Sequence, residues 1–541
     1  MKRVQLLLFL LLAFLTFPAA LHAQAWSGII DPSRAVDWSG AGIPGGIPVR
    51  TTQCGSTIAA YSGAATTINT AITNCTAGQF VGLGAGTFNL TSGIQFNGKN
   101  NVTLRGQGAN STFLVFTGAG AGFYNSVISL EPSGLNEVND AENNVCDWTA
   151  GYARGTTVIT LANCGSTTPA AGSLSNLHVG SIIILDQLDE TADTGQIWNC
   201  LNSTTEGGPQ CSNNGVGAGG FQRADGTTIT CASCTGGVMK YRSQQQGVVV
   251  TNISGSNITI SPGLYMPNWR TGQKPQAWFG TNTLLGSGIE NLSIAAGTPN
   301  GSGGNNTSGA SRNIMIGNCD RCYMKGVRST YANRSHVDIL VATRFIVQDS
   351  YFFQNIDHAS VSYGLETDSG FNGLVVNNIF QQSTDGEPNC NGSCAGNVFA
   401  YNFDIDNVWG SAGWMQAGFY AHASGDQFNL WEGNIGPGYT SDDVHGTHHF
   451  ETLFRNQILG SQLAGCGSSA LNTCTAQTLP IDTYAGSRYY NLIANVLGQA
   501  GYHTTYTANC TVDDTCFNNV TAVYRLGHTG PVKNVPVIRK C

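Results

Sequence analysis

What this chain has least of is charge. Asp, Glu, Lys and Arg make up 10% of its 541 residues, against about 25% in an average domain. Basic residues are also the minority, 24 against 32 acidic, for a net charge of −8. No basic stripe with interleaved aromatics occurs, which argues against nucleic-acid binding. Basic amphipathic helices are missing too, so membrane-surface binding has no support. Beyond the first 25 residues no apolar run approaches the roughly 20 residues of a spanning helix. Stretches carrying Ala, Leu, Glu and Lys at helical spacing are scarce, which removes the helical fold classes.

Glycine is abundant, 70 residues, together with Ser, Thr and Asn. Short β-branched runs punctuated by Gly and Asn dominate, so the fold is expected to be all-β. Disorder would require few apolar residues and a high net charge, and neither holds. The opening "MKRVQLLLFLLLAFLTFPAALHAQA" has the basic, apolar and small-residue zones of a secretory signal peptide, residues 1–25. The protein is therefore expected to be secreted, extracellular or periplasmic. Seventeen cysteines agree with an oxidising compartment. Sixteen fall into neighbouring couples, Cys54/Cys75, Cys146/Cys164, Cys200/Cys211, Cys231/Cys234, Cys319/Cys322, Cys390/Cys394, Cys466/Cys474 and Cys510/Cys516, with Cys541 left over. These read as disulfide clips on loops. Zinc is the rival for the two C-x-x-C couples, but structural zinc halves usually lie within about 20 residues of each other.

A short pattern recurs in the second half: "FIVQDSYF" with Asp349, "LVVNNIF" with Asn378, "VFAYNFDI" with Asn402, "NLWEGNI" with Asn434, "TLFRNQI" with Asn456 and "NLIANVL" with Asn495. Such spacing suits a solenoid whose coils share a strand and differ in loop length. Three positions before each of these residues stand Ile346, Val375, Phe399, Trp431, Leu453 and Leu492, an apolar column suited to an interior. The Asn column suits a corner, where Asn tolerates the left-handed region. "IENLSIA" with Asn291 and "MKGVRS" around Gly326 look like early copies. The expected architecture is a right-handed parallel β-helix solenoid.

"AATTINTAITNCTAGQFVGLGAGTFNLTSGIQFNGKNNVTLRGQGANSTFLVF" resembles the opening of the pectate-lyase-like β-helix superfamily. The resemblance implies an N-terminal capping helix at Thr66 to Asn74, the first coils directly after it, and a polysaccharide as partner. Residues 26–139 are then cap and first coils, 140–285 an inserted small β module, 286–508 the main coils, and 509–541 a C-terminal cap or tail. The aromatics ending the insert, Tyr265, Trp269, Trp278 and Phe279, suit sugar stacking and internal packing equally.

The densest polar stretch is "YTSDDVHGTHHFETLFRNQILG", residues 439–460. Counting back from the corner residues, the offset of Asp443 and His445 is shared by His336, Asp338, Glu366, Asn391, His422 and Asp482. Adjacent coils place equivalent side chains about 5 Å apart and alternate coils about 10 Å, separations at which two carboxyls straddle a glycosidic bond. Asp443 or Asp442 would serve as general acid, base or cation ligand, and His422 and His445 would move protons or position substrate, with Glu366 nearby. Trp414, Tyr420 and Tyr363 would stack on sugars, His336 would bind substrate, and Arg455 would pair with a uronate carboxylate or act as base. The competing reading is a purely structural ladder of hydrogen-bonded side chains. Zinc held by His445, His448 and His449 is a further alternative.

"NIDHASVSYG", with Asp357 and His358, is similar to a segment of pectate lyases, which implies calcium and an arginine base, although their arginine-bearing motif does not follow here. "SDDVHG" is similar to elements of polygalacturonase-type hydrolases, here fused, without the flanking Asn-x-Asp and Arg-x-Lys. The expected function is β-elimination on a uronic-acid polysaccharide. The alternatives are polygalacturonase-like hydrolysis and a non-catalytic glycan-binding surface protein or adhesin.

Overall fold

Short strands, each ended by a corner, build the whole molecule. The computed structural model describes residues 28–133, 144–164, 173–190, 194–199, 229–230, 238–239, 242–296, 310–356, 362–384, 386–409, 413–422, 424–443, 446–462, 474–508 and 521–528. Residues 1–25, expected to be a signal peptide, Asp357, His358, His445 and the cysteines Cys200, Cys211, Cys231, Cys234, Cys466, Cys510, Cys516 and Cys541 lie outside these residues.

Among the described residues the coils give strands to three parallel sheets, which hold 10, 11 and 13 strands. One such coil runs Leu430–Glu432, Ile435–Gly436 and Tyr439–Ser441 before Thr452–Phe454 starts the next. Leu430 then lies against Thr452, Ile435 against Gln457 and Tyr439 against Ile481. This is a parallel β-helix. Its lumen is filled by columns such as Val347, Val375, Phe399, Trp431, Leu453 and Leu492, in which the Phe399 and Trp431 rings stack at 4.2 Å.

At the corner after the first sheet, one residue per coil has positive φ: Asn291, Gly326, Asp349, Asn377, Tyr401, Gly433, Arg455 and Ala494. Asn291 holds that conformation as expected, whereas Asn378, Asn402, Asn434, Asn456 and Asn495 sit one residue later and point inward. Asp349 is thus a corner residue, Ser350 is the first rung of the ladder, and the apolar column begins at Val347, not Ile346. Each rung accepts and donates. Asn434 Oδ1 takes bonds from the Asn402 main-chain N (2.9 Å) and Nδ2 (3.1 Å), while its own Nδ2 reaches Phe399 O (2.8 Å) and Asn456 Oδ1 (3.0 Å). A second ladder, Asn397, Asn429 and Glu451, follows the third sheet.

The helix Thr66–Asn74 buries Ile68 and Ile72 over the N-terminal end of the solenoid. Its Asn69 bonds Gly93 O (3.2 Å) and Gln95 N (2.9 Å), occupying the edge of the third sheet. Between Asn144 and Phe279 six strands close an antiparallel barrel. Tyr265, Trp269, Trp278 and Phe279 are buried there; Trp269 packs on Trp148 at 5.2 Å and the Tyr265 hydroxyl reaches Asn372 Oδ1 at 2.5 Å. Their role is packing, of barrel strands and of barrel on solenoid.

Residues 30–54 form a strap across the outside of the first sheet. Asn491 Nδ2 donates to Arg34 O (3.1 Å), Trp38 Nε1 to Phe428 O (2.6 Å), and Gly42 N to Asn372 O (2.7 Å). Arg50 then bonds Thr103 Oγ1 and the Tyr323 hydroxyl, both at 2.7 Å.

Disulfides join Cys54–Cys75, Cys146–Cys164, Cys319–Cys322 and Cys390–Cys394. Pairing within the couple removes the zinc alternative at Cys319/Cys322. The expected couple Cys466/Cys474 stands differently, because only one of its members is described. Cys474 is itself disulfide-bonded and is buried against Met415. Cys466, the partner expected for it, falls outside the described residues, so the pairing of Cys474 with Cys466 remains an expectation from their spacing.

Candidate functional site

Because alternate residues of a strand face opposite ways, the third sheet's outer face carries its own column. Asp338, Glu366, Asn389, Tyr420, Thr440, Asp482 and Arg525 lie side by side on successive coils. His422 and Asp442 continue this face two residues on, past the ends of strands Phe419–Ala421 and Tyr439–Ser441.

Two clusters result. In the C-terminal one, Asp442 Oδ2 accepts from the Tyr420 hydroxyl (2.5 Å) and meets His422 Nδ1 at 2.7 Å. Burial alone would raise Asp442, but the His422 charge and the bonds from His422 and Tyr420 outweigh it and hold the carboxyl below the ordinary value. Asp443 next to it goes the other way: burial, then the negative Asp442, push it up to about 7. One site thus holds two carboxyls whose pKa values are pushed apart, the split that acid–base catalysis uses. Behind Asp442, His448 Nε2 lies 2.9 Å from the Asp442 carbonyl and its Nδ1 3.2 Å from Asp426 Oδ2. Both His448 and Asp426 are fully buried. Tyr484 sits on the next coil, its hydroxyl pKa raised by burial and by Asp482.

Two coils toward the N-terminus, Asp338, Glu366 and Asp368 bring carboxylate oxygens within 4.8 Å of one another. Arg334 grips Glu366 with Nε at 2.9 Å and Nη2 at 3.1 Å, while Arg312 Nε holds Asp338 at 2.6 Å. Burial pulls Glu366 up, yet the two guanidiniums hold it ionised. Burial and the Glu366 charge push Asp338 to about 7 and Asp368 well above its ordinary value. Three carboxyls facing two guanidiniums leave one negative charge when all are ionised, and their oxygens lie close enough together to share a cation.

The structure brings together Asp442, Asp443, His422 and Tyr420, and puts Glu366 in the second cluster of the same face. Trp414 is half-buried in the loop leading to Tyr420, bridged to Ala476. Three expectations need correction. His336 is in the lumen, fully buried, its Nδ1 2.8 Å from Ser329 Oγ; it cannot touch a substrate outside. Arg455 is at the corner between the first and second sheets, away from the third, and pairs with Glu432. Tyr363 is buried beneath Arg334, whose guanidinium lies 5.4 Å from its ring, so it presents no open face. His448 is committed to Asp426 and Asp442, and His449 Nε2 receives Trp198 N at 3.3 Å; neither is arranged for zinc. Sequence reasoning missed Asp368, Arg312, Arg334 and Asp426. Asp368 stands two residues after Glu366, the spacing that returns a strand to the same face.

No family model matches the chain, and no curated protein matches it. Among solved structures, the tailspike gp61 of Pseudomonas phage phi297 aligns at 11% identity and TM-score 0.44, covering 86% of this chain, which spans 65% of that protein. The mannuronan C-5 epimerase AlgE6 A-module of Azotobacter vinelandii aligns at 10% identity and TM-score 0.35, covering 87% and 95%. A polygalacturonase of Erwinia carotovora ssp. carotovora aligns at 11% identity and TM-score 0.26, covering 91% and 100%. The sheet topology itself defines the class. The molecule is a parallel β-helix carrying an inserted barrel, with its titratable side chains gathered on one outer face.

Proposed function

We propose that the protein is an extracellular enzyme that cleaves a uronic-acid-containing polysaccharide by β-elimination at the Asp442–His422–Asp443 cluster. The observation that carries this reading is the histidine–carboxylate couple standing next to a second, largely buried carboxyl, Asp443, whose pKa burial raises. In its neutral form, with Nδ1–H donated to Asp442, His422 has Nε2 as its basic atom, and Nε2 takes the C5 proton of a uronate; the sugar's own carboxylate acidifies that proton. Electrons of the C5–H bond form the C4–C5 double bond as the C4–O bond breaks. Asp443 gives its proton to the departing oxygen. General acid and base of this kind each contribute about 10²–10⁴-fold. The four disulfides agree with an oxidising compartment.

The test is incubation with a panel of pectins, alginates and glycosaminoglycans. New ultraviolet absorbance of unsaturated uronate, abolished in His422→Ala, is the expected result. New reducing ends without that absorbance would make the enzyme a hydrolase in which Asp442 and Asp443 act as the carboxyl pair. Retention of a glycan without products would leave a binding protein and end the enzymatic reading.

A further inference from the structure

Between its asparagine ladders the lumen of this solenoid is lined mainly by apolar columns, and one coil departs from its column with a carboxyl. The inward column of the second sheet reads Leu114, Ile294, Ser329, Phe352, Phe380 and then Asp404. Phe352 and Phe380 stack at 4.8 Å; where the next ring would lie there is instead a carboxyl, 3% exposed. Its Oδ2 accepts from Asn407 Nδ2 at 2.8 Å, while Oδ1 is buried without a hydrogen-bond partner. Asn407 Oδ1 and Ser383 Oγ are buried and unpartnered in the same way. Ser383 and Asn407 lie on adjacent coils, joined by Val408 N to Ser383 O at 2.8 Å.

Two glycines clear the space. A Cβ on Gly418 would stand 1.7 Å from Asp404 Oδ2, and one on Gly364 would stand 3.0 Å from Glu387 Cδ and 2.7 Å from the Phe380 ring. Glu387 N also donates to Gly418 O. The Glu387 and Asp404 side chains thus border the same aromatic ring, both inside the molecule. The charged side chain acting on Asp404 is Asp406, which is negative. An ionised carboxyl in such surroundings is unfavourable unless it is paired or neutralised.

We propose that Asp404, Glu387, Asn407 and Ser383 hold a calcium ion in the lumen, tying together the coils of strands Ile379–Gln381 and Phe403–Ile405. The donors are all oxygen, as a hard cation requires, and a divalent ion matches two carboxylates. Magnesium demands near-octahedral geometry and keeps several waters, which a lumen packed with side chains does not supply. This site is separate from the outer face and independent of the reaction proposed there.

The experiment measures metal content by mass spectrometry on protein purified without chelator, and thermal unfolding with EGTA, calcium or magnesium. The expected result is about one calcium per chain, a midpoint lowered by EGTA, and recovery with calcium but not magnesium. Asp404→Asn, which keeps the size of the side chain, is expected to lose bound calcium and the midpoint shift. A metal-free protein whose midpoint ignores EGTA and calcium overturns the proposal, as does an Asp404→Asn variant that binds calcium like the wild type. Should that variant not fold, the wild-type metal content and chelator response decide alone.

Discussion

At the scale of single residues, neighbouring carboxyls have their pKa values pushed in opposite directions because their partners differ. Asp442 has a histidine and a tyrosine hydroxyl; Asp443 has burial and a negative neighbour. If Asp443 is the proton donor, its acid form exists below about pH 7 and disappears above it. The rate is therefore expected to fall on the alkaline side with an apparent pKa near 7. Asp443→Asn should lose about 10²–10⁴-fold in kcat and the alkaline limb with it, measured as a pH–rate profile on the substrate the panel selects. A limb surviving in the variant would assign the proton to another group.

Glu451 poses a separate residue-scale problem, since it fills a ladder position that asparagine holds on neighbouring coils. It accepts from Asn429 Nδ2 and Trp431 Nε1, at 2.9 and 2.8 Å, and burial raises its pKa to about 8. The folded value lies above the unfolded one. Its contribution to stability is thus complete below about pH 4.5 and lost as pH rises toward about 8, at roughly 1.4 kcal/mol per unit. Glu451→Gln should remove that slope from a series of denaturant curves. It should also weaken the protein at pH 5 by about 1–3 kcal/mol, because its –NH₂ would oppose the Trp431 N–H.

The site was legible in the sequence where residues adjoin, as in Asp442–Asp443, and where chemistry repeats at a constant offset, as in Glu366 and His422. Facing was not. Loops of varying length blur the count from a corner, and a one-residue slip exchanges the inner and outer sides of a strand, so His336 shares the offset of the outer column yet lies within. Arg334 and Asp426 precede or follow their strands, in loops where counting from a corner loses its phase.

Among the elements, the asparagine ladder shows how a motif can be visible while its geometry is displaced. Asparagine suits both a left-handed residue and an amide stack, so the sequence pattern alone did not separate these roles. The positive φ falls on whatever precedes the rung, including Tyr401 and Arg455, which share no side-chain chemistry. The ladder also sets a gradient of stability. Asn434→Ala would leave the Asn402 main-chain N–H, the Asn402 amide and the Phe399 carbonyl without the bonds they now make. Each stranded buried group costs about 1–3 kcal/mol, so a loss on the order of 3 kcal/mol or more is expected. Asn495, a half-buried rung toward the C-terminus, should cost about 1 kcal/mol when changed to Ala. Urea midpoints of the two variants test this; equal losses would mean that the rungs act singly and not as a ladder.

For the molecule as a whole, the three sheets have different outsides: the third carries the polar clusters, the first lies under the N-terminal strap, and the second has neither among the described residues. The strap begins against the coil of Asn491 and ends against the coils of Thr103 and Tyr323, so it clasps most of the solenoid's length with few residues. Its central anchor is Trp38, 8% exposed and bonded through Nε1 to Phe428 O. Phe428 itself stacks on Phe450 at 4.5 Å, and Phe450 on Tyr489 at 4.8 Å, forming an aromatic corner that Arg34 and Arg154 cover with cation–π contacts at 5.8 and 5.0 Å. Trp38→Ala removes a large buried ring, a change worth about 3–5 kcal/mol in a closed core, but a strap can detach without the coils unfolding. The expected outcome is therefore local. Amide exchange of residues 30–50 should quicken and protease should cut there first, while the coils keep their protection. Uniform loss of protection along the whole chain would instead make the strap part of one cooperative core, and unchanged exchange in residues 30–50 would show that Trp38 does not anchor it.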